Sequence, residues 1–268
     1  MARKVQAAAV HAAPVFMDKA ATLTKVVRLI KYAKTRDIKL LAFPETFVPG
    51  YPYFIECYPP IKQVGALVAY GEQSVVVKDD LHEVQAACRE AEISICLGIS
   101  ERVPDGYTLF NSQVYIDSKG DIKGVHRKLQ PTYVERMVWA QGGGHTLRTY
   151  DSLGDFKIGG LCCWENTMPL ARQALTLDGE EIHVGAWPAL NTMAGFENSA
   201  NAQIEALMKS HALTGQAFVI CSSNYVDDSC LNWMKENLGE QDSVKAGGGW
   251  SAIVSTRETI VCLLLTTP

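Results

Sequence analysis

The sequence lacks the features that mark membrane-bound, secreted and nucleic-acid-binding proteins. No apolar run is long enough to cross a bilayer. The first residues lack the apolar core and the small-residue cleavage site of a signal peptide. Lysine and arginine form no long run, and the formal net charge of -4 at pH 7 disfavours nucleic acid and anionic membranes as partners. We therefore expect a cytoplasmic protein.

Cysteine is present, but in no paired pattern. Cysteines are scattered without a Cys-x-x-Cys spacing, and the histidines form no metal-type cluster in the sequence. Most cysteines lie in apolar surroundings, which is typical of buried free thiols in a reducing compartment. The sequence thus predicts a protein without a metal or another cofactor.

The chain also lacks a linker. No stretch rich in proline, glycine or serine and no shift in composition marks a domain boundary. With 268 residues, of which 47% are hydrophobic and 20% are charged, the chain can bury a substantial core. Length alone would also allow two small domains, but we predict a single domain over residues 1–268.

The chain does contain alternating strand and helix patterns. Val5–Ala12 and Ile38–Phe43 are apolar runs typical of buried strands, and Asp18–Arg36 between them has helical spacing after a capping aspartate. Hairpin patterns with turns at 118–121 and 151–154 follow, and strand–helix units then return. This order predicts an α/β fold with a mixed sheet and leaves open whether the strands form one sheet or a sandwich. The other predicted elements are helices at 80–92, 170–177, 198–213 and, less regular, 227–239, and strands at 93–99, 111–117, 122–126, 146–150, 156–162, 182–187, 218–222, 250–255 and 259–265.

One stretch combines a buried strand, a sharp turn and the start of a helix. The apolar run Ile158–Cys162 ends at Cys163, and Pro169 then opens a segment rich in alanine and leucine. A thiol at such a turn is how a nucleophile is presented at the carboxyl edge of a sheet. The alternative is that Cys162 and Cys163 are both small core residues, which is common for cysteine.

Two further reactive side chains occupy comparable positions. Glu45 and Lys128 each follow a predicted buried strand within two residues, as Cys163 does. Because the carboxyl ends of parallel strands meet at one rim of a sheet, the three side chains can meet there. A carboxylate can accept the thiol proton, and an ammonium group stabilises negative charge on the attacked substrate. Each residue alone could be solvated or packed, so only their conjunction indicates an active site.

Four blocks of the sequence resemble the signatures of one enzyme family. They are Phe43-Pro44-Glu45, His126–Thr132, Glu135–Gly142 and Cys163–Asn166. Together they are similar to the nitrilase branch of the carbon–nitrogen hydrolase superfamily, from Val5 to about Ile253 and in the same order. The resemblance implies a four-layer α-β-β-α sandwich with two mixed sheets. It also implies that subunits pair so that the sandwich continues across a homodimer, or across a larger spiral homo-oligomer.

The resemblance implies a role for each matching residue. Cys163 would be the nucleophile, Glu45 the general base and Lys128 the electrophilic stabiliser. Glu135 would be a second glutamate that helps to hold the lysine and to position the substrate.

The neighbours of Cys163 are expected to support it. Cys162 matches no catalytic position of the family, and the alternation of side chains along a strand predicts that it points into packing. Glu165 fits a structural hydrogen-bonding residue better than a second base.

The same blocks indicate the class of substrate. Residues 163–170, with Trp187 and Pro188 downstream, are more similar to true nitrilases than to amidases or carbamoylases. Tyr51, Trp164, Trp187 and Pro188 would then bind a small-molecule nitrile with an apolar or aromatic tail. The alternative for these rings is packing within loops.

The implied reaction runs through two covalent intermediates. The thiolate attacks the nitrile carbon to give a thioimidate, water adds, and ammonia leaves to give a thioester. A second water then releases the carboxylic acid. If the tetrahedral intermediate expels the thiol instead, the product is an amide.

Two departures from the family pattern bear on these expectations. Relatives usually have an acidic residue where this chain has the middle glycine of Gly142-Gly143-Gly144, and the sequence resembles the family poorly after Ile253. We expect a shortened carboxyl-terminal tail, which leaves the size of an oligomer open. The competing functions are an amidase or carbamoylase of the same superfamily and a non-catalytic assembly protein that retains the fold.

Overall fold

Two β-sheets pack face to face between layers of helices. The structure is a computed structural model that describes residues 4–154 and 156–255 and the backbone of residues 262–266. The strands of this described part are β1 (Ala7–His11), β2 (Leu40–Ala42), β3 (Ser94–Arg102), β4 (Leu109–Ile116), β5 (Ile122–Arg127), β6 (Tyr150–Leu153), β7 (Phe156–Cys162), β8 (Ile182–Trp187), β9 (Phe218–Ser223), β10 (Tyr225–Val226), β11 (Gly247–Gly248), β12 (Ala252–Val254) and β13 (Cys262–Thr266). Its α-helices are α1 (Lys19–Lys34), α2 (Val64–Gln73), α3 (Val77–Asp80), α4 (His82–Ala91), α5 (Pro169–Leu177), α6 (Ala200–Gly215) and α7 (Asp228–Leu238).

Both large sheets are mixed, as the sequence predicts. The first has the order β13-β1-β2-β3-β4-β5, in which β13, β1, β2 and β3 are parallel and β4 is antiparallel to both of its neighbours. The second has the order β12-β9-β8-β7-β6, with a parallel centre and an antiparallel strand at each edge. The short strands β10 and β11 form a separate pair. The strands thus form a sandwich of two sheets and not one continuous sheet, a choice that the sequence periodicity leaves open.

The space between the sheets is filled by apolar side chains from both. Leu40 and Tyr115 of the first sheet share one buried cluster with Ile158, Val184 and Ile220 of the second. Burying a side chain of this size contributes about 1.5–3 kcal/mol to folding. The face-to-face packing of the sheets is therefore a main source of stability.

Helices cover the outer face of each sheet. On the first sheet, α1 and α4 supply Ile30 and Val84 to an apolar cluster with Leu41 of β2. On the second sheet, α5 packs Leu175 against Leu161 of β7, and α6 lies beside α5. The order of layers is helix, sheet, sheet and helix, which confirms the α-β-β-α sandwich. Within the described ranges, no helix combines the length and the apolar content needed to cross a membrane.

Most elements lie where the sequence patterns predict them. Asp18 caps α1, since its carboxylate accepts a hydrogen bond from the backbone N–H of Ala21 at 2.9 Å. The hairpin predicted around residues 118–121 is the antiparallel pair of β4 and β5. The strand predicted at 182–187 is β8 with the same ends. Of the strand predicted at 259–265, residues 262–265 lie in β13, and residues 259–261 lie outside the described part.

Local contacts shift the ends of two predicted elements. The helix predicted at 80–92 is α4 (His82–Ala91), which begins two residues later because Asp80 ends the separate short helix α3 and accepts a hydrogen bond from the N–H of Val76 at 2.7 Å. The strand predicted at 146–150 begins only at Tyr150 and continues through the predicted turn to Leu153. Tyr150 stacks on Tyr115 with ring centroids 4.4 Å apart, which holds this segment against the sheet.

The sequence patterns also miss helix α2. Its outer face exposes 55% of Val64 and 54% of Val68, so apolar residues occur on both faces and give no amphipathic period. Gly65 and Gly71 further lower the helix propensity of the segment. Packing of Ala66 and Tyr70 against the adjacent core decides the structure instead.

Candidate active site

Glu45, Lys128 and Cys163 meet at one end of the sandwich. Glu45 follows β2 and Lys128 follows β5, two strands of the first sheet that run in the same direction. Cys163 follows β7, which belongs to the second sheet. The sequence pattern predicts that the three side chains meet at the rim of a single sheet. The structure corrects this point, since both sheets contribute to the site.

Lys128 is at the centre of the site. Its ammonium nitrogen lies 2.8 Å from Oε1 of Glu45 and 2.8 Å from Oε2 of Glu135. The three residues are buried, with exposures of 0% for Glu45, 1% for Lys128 and 2% for Glu135. A buried charge is tolerated only with a close partner, so one ammonium and two carboxylates at this depth form a single electrostatic unit.

Cys163 presents its thiol to this unit from a sharp turn. Its backbone has a φ of 50°, in the left-handed region, and it opens the 3₁₀ turn Cys163–Thr167 between β7 and α5. Its Sγ lies within 4.8 Å of a carboxylate oxygen of Glu45 and of one of Glu135. A non-glycine residue in this conformation is costly and often occurs at functional turns. The geometry matches the strand, turn and helix that the sequence predicts around the thiol.

The protonation states follow from burial and from the neighbouring charges. Burial raises the pKa of the Cys163 thiol well above its usual range, and the charge of Glu45 adds to the shift. Burial also raises the pKa of Glu45 to about 7, against the opposing pull of the Lys128 ammonium. Burial alone would lower the pKa of Lys128, but the carboxylates of Glu135 and Glu45 outweigh it and raise that pKa well above its ordinary value. Near neutral pH the site holds a protonated thiol, an ammonium group and a partly ionised base.

Two asparagines that the sequence analysis misses fix Glu45. The side-chain amide of Asn111 donates to Oε1 of Glu45 at 2.6 Å, and that of Asn224 donates to its backbone oxygen at 2.7 Å. Oε2 of Glu45 is buried and has no hydrogen-bond partner among the described residues, so it can accept a proton. Asn111 is a polar residue inside a predicted strand, and Asn224 directly follows a strand, which are the signals that could have found them.

Glu135 is held by a local motif and by a distant tyrosine. Thr132 and Glu135 form a capping box, in which Oε2 of Glu135 accepts from the N–H of Thr132 at 2.7 Å. The hydroxyl of Tyr51 donates to Oε1 of Glu135 at 3.1 Å. Tyr51, expected to contact substrate, is thus tied to the charged unit. The Thr-x-x-Glu spacing is a signal in the sequence for this arrangement.

The other residues predicted to bind substrate lie beside the thiol. Trp164 and Trp187 belong to the apolar cluster around Cys163, and their rings meet edge to face with centroids 5.9 Å apart. Trp187 and Pro188 are buried at the end of β8, whereas Trp164 is half-buried. The contact of these residues with a substrate stays a prediction.

Glu165 makes several hydrogen bonds that hold neighbouring segments together, as expected from the sequence. Its carboxylate accepts from the N–H of Cys162 at 2.8 Å and from the N–H of Leu129 at 2.7 Å, and His126 lies 3.2 Å away. Burial opposes the ionisation of Glu165, but His126 and the two N–H groups outweigh it and lower its pKa. Glu165 thus joins the residue before Cys163 to the residue after Lys128.

Two groups of side chains in the described part have donor atoms close enough to bind a metal ion. One is Glu45, Glu135 and Cys163, where Lys128 already supplies a cation. The other is Glu180, His183 and His211, three buried residues in which the carboxylate of Glu180 is hydrogen-bonded to both histidines. That a metal is not required stays a prediction.

The chain is similar to known proteins over most of its length. The family model of the carbon–nitrogen hydrolases matches residues 6–266. An aliphatic nitrilase from Rhodococcus rhodochrous is 34% identical over 257 residues, an alignment that covers 93% of this chain and 66% of that protein. An arylacetonitrilase from Hypocrea virens is 36% identical over 255 residues, with 94% and 76% covered.

A solved structure shows the same fold. The carbon–nitrogen hydrolase from Helicobacter pylori superimposes with a TM-score of 0.72 over 92% of this chain and 81% of that chain. Its sequence identity of 18% supports the fold alone. Together with the match of the family model over nearly the whole length, these similarities show that the chain belongs to the carbon–nitrogen hydrolase family of enzymes.

Proposed function

We propose that this protein is a nitrilase, which hydrolyses an organic nitrile to the carboxylic acid and ammonia. The observation that supports this most is the buried Lys128 ammonium, which contacts both Glu45 and Glu135 beside the Cys163 thiol. Relatives named aliphatic nitrilase and arylacetonitrilase support a nitrile as the substrate.

In the first half-reaction, Cys163 adds to the nitrile carbon. Glu45 takes the thiol proton as the carbon–sulfur bond forms, which its ionised form can do with the unpartnered Oε2. One electron pair of the carbon–nitrogen triple bond moves to nitrogen, which takes up the proton that Glu45 holds. Lys128 stabilises the negative charge that develops on this nitrogen, and the product is a thioimidate.

In the second half-reaction, two waters release the products. Glu45 takes a proton from the first water as its oxygen adds to the thioimidate carbon, and passes this proton to the nitrogen. The nitrogen takes the remaining hydroxyl proton as the carbon–nitrogen bond breaks, so that ammonia leaves and the carbonyl group of a thioester forms. A second water, activated in the same way, breaks the carbon–sulfur bond, which releases the acid and restores the thiol. If the carbon–sulfur bond breaks before the carbon–nitrogen bond, an amide leaves instead.

The aromatic residues beside Cys163 favour a nitrile with an apolar or aromatic tail. We propose that the side chains of Trp164, Trp187 and Pro188 line the space that holds this tail. Tyr51 would contact the substrate from the side of Glu135, to which it donates a hydrogen bond. Rings of this kind bury a large apolar area and suit such a tail.

Incubation with a panel of aliphatic, aryl and arylaceto nitriles tests the proposed activity. We expect ammonia and the carboxylic acid to appear in equal amounts for at least one nitrile. Each turnover through the thioester on Cys163 releases one molecule of each. Hydrolysis of amides with no release from any nitrile would assign the protein to the amidase branch. No turnover at all, with no alkylation of Cys163 by iodoacetamide near neutral pH, would favour a non-catalytic assembly protein.

The pH dependence of turnover should follow Glu45. Burial raises the pKa of Glu45 to about 7, and only the ionised carboxylate can accept the thiol proton. We therefore expect kcat/KM to be constant above this pH and to fall about tenfold for each pH unit below it. The measurement is a kcat/KM profile between pH 5 and 9 with a neutral nitrile. A profile that stays flat down to pH 5 would contradict the role of Glu45 as the base.

A further inference from the structure

A chain of buried polar residues runs from the nucleophile turn to helix α6. Asn166 lies in the turn after Cys163, Glu180 and His183 lie before and within β8, and His211 lies in α6. Oδ1 of Asn166 is 2.8 Å from Nε2 of His183, and Nδ1 of His183 is 2.8 Å from Oε1 of Glu180. Oε2 of Glu180 is 2.7 Å from Nε2 of His211. All four residues are buried, so the hydrogen bonds that connect them are protected from water.

Asn166 connects this row of hydrogen-bonded residues to the backbone of Cys163. Its amide nitrogen donates to the carbonyl oxygen of Cys163 at 2.9 Å and to that of Leu161 at 3.2 Å. Because the nitrogen faces two acceptors, the orientation of the amide is fixed and its oxygen must face His183. Asn166 therefore holds the peptide that gives Cys163 its left-handed conformation.

The hydrogen bonds determine the charge of His183. Its Nε2 faces the oxygen of Asn166 and its Nδ1 faces the carboxylate of Glu180, so both ring nitrogens must donate. Two donors make His183 an imidazolium ion that pairs with Glu180. Burial opposes the ionisation of Glu180, but His183 and His211 outweigh it and lower the pKa of its carboxyl.

His211 is the second histidine that contacts Glu180, and it is neutral. Burial lowers the pKa of His211, the charges of His183 and of Arg172 on α5 lower it further, and the hydrogen bond and charge of Glu180 oppose this shift only in part. The rings of His183 and His211 lie 4.1 Å apart, so two positive charges there would repel each other. The neutral ring donates its Nε2–H to Glu180. The backbone of β7 makes room for this carboxylate, since a Cβ on Gly159 would lie 2.2 Å from Oε1 of Glu180.

We propose that Glu180 and His183 are positioning residues for the nucleophile. Their buried ion pair holds Asn166, and Asn166 holds the Cys163 peptide so that the thiol faces Glu45. The inference rests on the proposed role of Cys163. Neither residue touches the reacting atoms, so both act through the geometry of the turn, where a displacement of 1 Å can cost about 100-fold in rate.

The kinetic test compares Glu180→Gln with the matched control His211→Gln. Glu180→Gln keeps the shape of the side chain but removes the counter-ion of His183. We expect kcat to fall about 10–100-fold, with KM changed by less than about threefold and with the acid limb of the pH profile still near 7, since Glu45 is unaltered. In His211→Gln the amide can still donate to Glu180 and does not touch Asn166, so kcat should stay within about threefold. Equal losses of kcat in the two variants, or none in Glu180→Gln, would contradict the proposal.

Alkylation of Cys163 gives a readout that does not depend on a nitrile. The rate of modification by iodoacetamide, followed by mass spectrometry of the Cys163 peptide, should change at least about fivefold in Glu180→Gln and stay at the wild-type value in His211→Gln. A change in both variants or in neither would contradict the proposal. If the wild type turns over no nitrile, the alkylation result still decides whether Glu180 positions the thiol.

The charge of His183 can be measured directly in the unmutated protein. With ¹⁵N-labelled histidine, nuclear magnetic resonance should show both nitrogens of His183 protonated near neutral pH. His211 should show one protonated and one unprotonated nitrogen. This experiment needs no variant that folds, and a neutral His183 would overturn the proposed ion pair.

Discussion

Replacing Cys163 by alanine is expected to abolish turnover, whereas Cys162→Ala should keep most of it. Cys163 supplies the sulfur that lies beside the carboxylates of Glu45 and Glu135, and this sulfur forms both proposed covalent intermediates. We expect a loss of at least about 10⁴-fold in kcat, as for the removal of a covalent nucleophile. The measurement is ammonia release from the best nitrile of the panel.

Cys162→Ala is the matched control, since it changes the neighbouring thiol. The Cys162 side chain is buried and accepts a hydrogen bond from the backbone of Glu165 in a capping box. Losing this cap should lower the free energy of unfolding by about 1–2 kcal/mol, which urea unfolding can measure. Loss of turnover in Cys162→Ala with activity retained in Cys163→Ala would show that the wrong thiol has been chosen.

Replacing Lys128 by methionine is expected to remove activity and also to destabilise the protein in a pH-dependent way. Methionine keeps the length of the side chain but leaves the carboxylates of Glu45 and Glu135 buried without a cation. Breaking a buried ion pair from one side typically costs about 3–5 kcal/mol. The midpoint of urea unfolding at neutral pH should fall by a corresponding amount.

The pH dependence of this loss follows from the carboxylates. The pKa of Glu45 is about 7 in the folded protein, above its ordinary value of 4.5, and removing Lys128 takes away a group that lowers it. A group whose pKa is raised by folding contributes stability at low pH and loses it as the pH rises through the folded value. Lys128→Met should therefore be closest to the wild type near pH 5 and furthest from it near pH 8.

A double variant is the control for this prediction. In Lys128→Met with Glu45→Gln, one of the two buried carboxylates is replaced by a neutral amide of the same shape. Part of the stability lost at pH 8 should return, and the single and double variants should differ little at pH 5. A loss that is the same at both pH values, or a double variant less stable than the single one at pH 8, would contradict the electrostatic account.

The sequence predicts the fold well where burial follows a regular period. The apolar face of α1 and the continuous apolar run of β8 each have one structural solution, so their type and position are predictable. The edge strand β6 and the helix α2 depend on contacts with distant residues, such as the stacking of Tyr150 on Tyr115. Patterns within a short window cannot contain such contacts.

The grouping of the candidate site residues is predictable for a different reason. Glu45, Lys128 and Cys163 each follow a strand, and the resemblance of their surroundings to one family links them without any distance information. The residues that fix them are harder to find. Tyr51 reaches Glu135 across 84 positions of the sequence, and Asn224 reaches Glu45 across 179.

The contact between Glu180 and His183 is not predictable from the sequence. No cluster among the histidines is visible in the sequence, because His183 and His211 come together only in the folded protein, where α6 packs on β9, the strand next to β8. The single domain over residues 1–268, the cytoplasmic location and the assembly into a homodimer or larger oligomer stay predictions.

The most direct test of the account is to identify the atom that becomes attached to the substrate. Wild-type protein is mixed with a saturating nitrile, quenched with acid during turnover, digested and mapped by mass spectrometry. We predict that the peptide containing Cys163 gains the mass of the thioimidate or the thioester, while the Cys162 sulfur in the same peptide stays unmodified in its fragment ions. Turnover without any adduct on Cys163, or an adduct on another residue, would contradict the claim that this thiol attacks the nitrile.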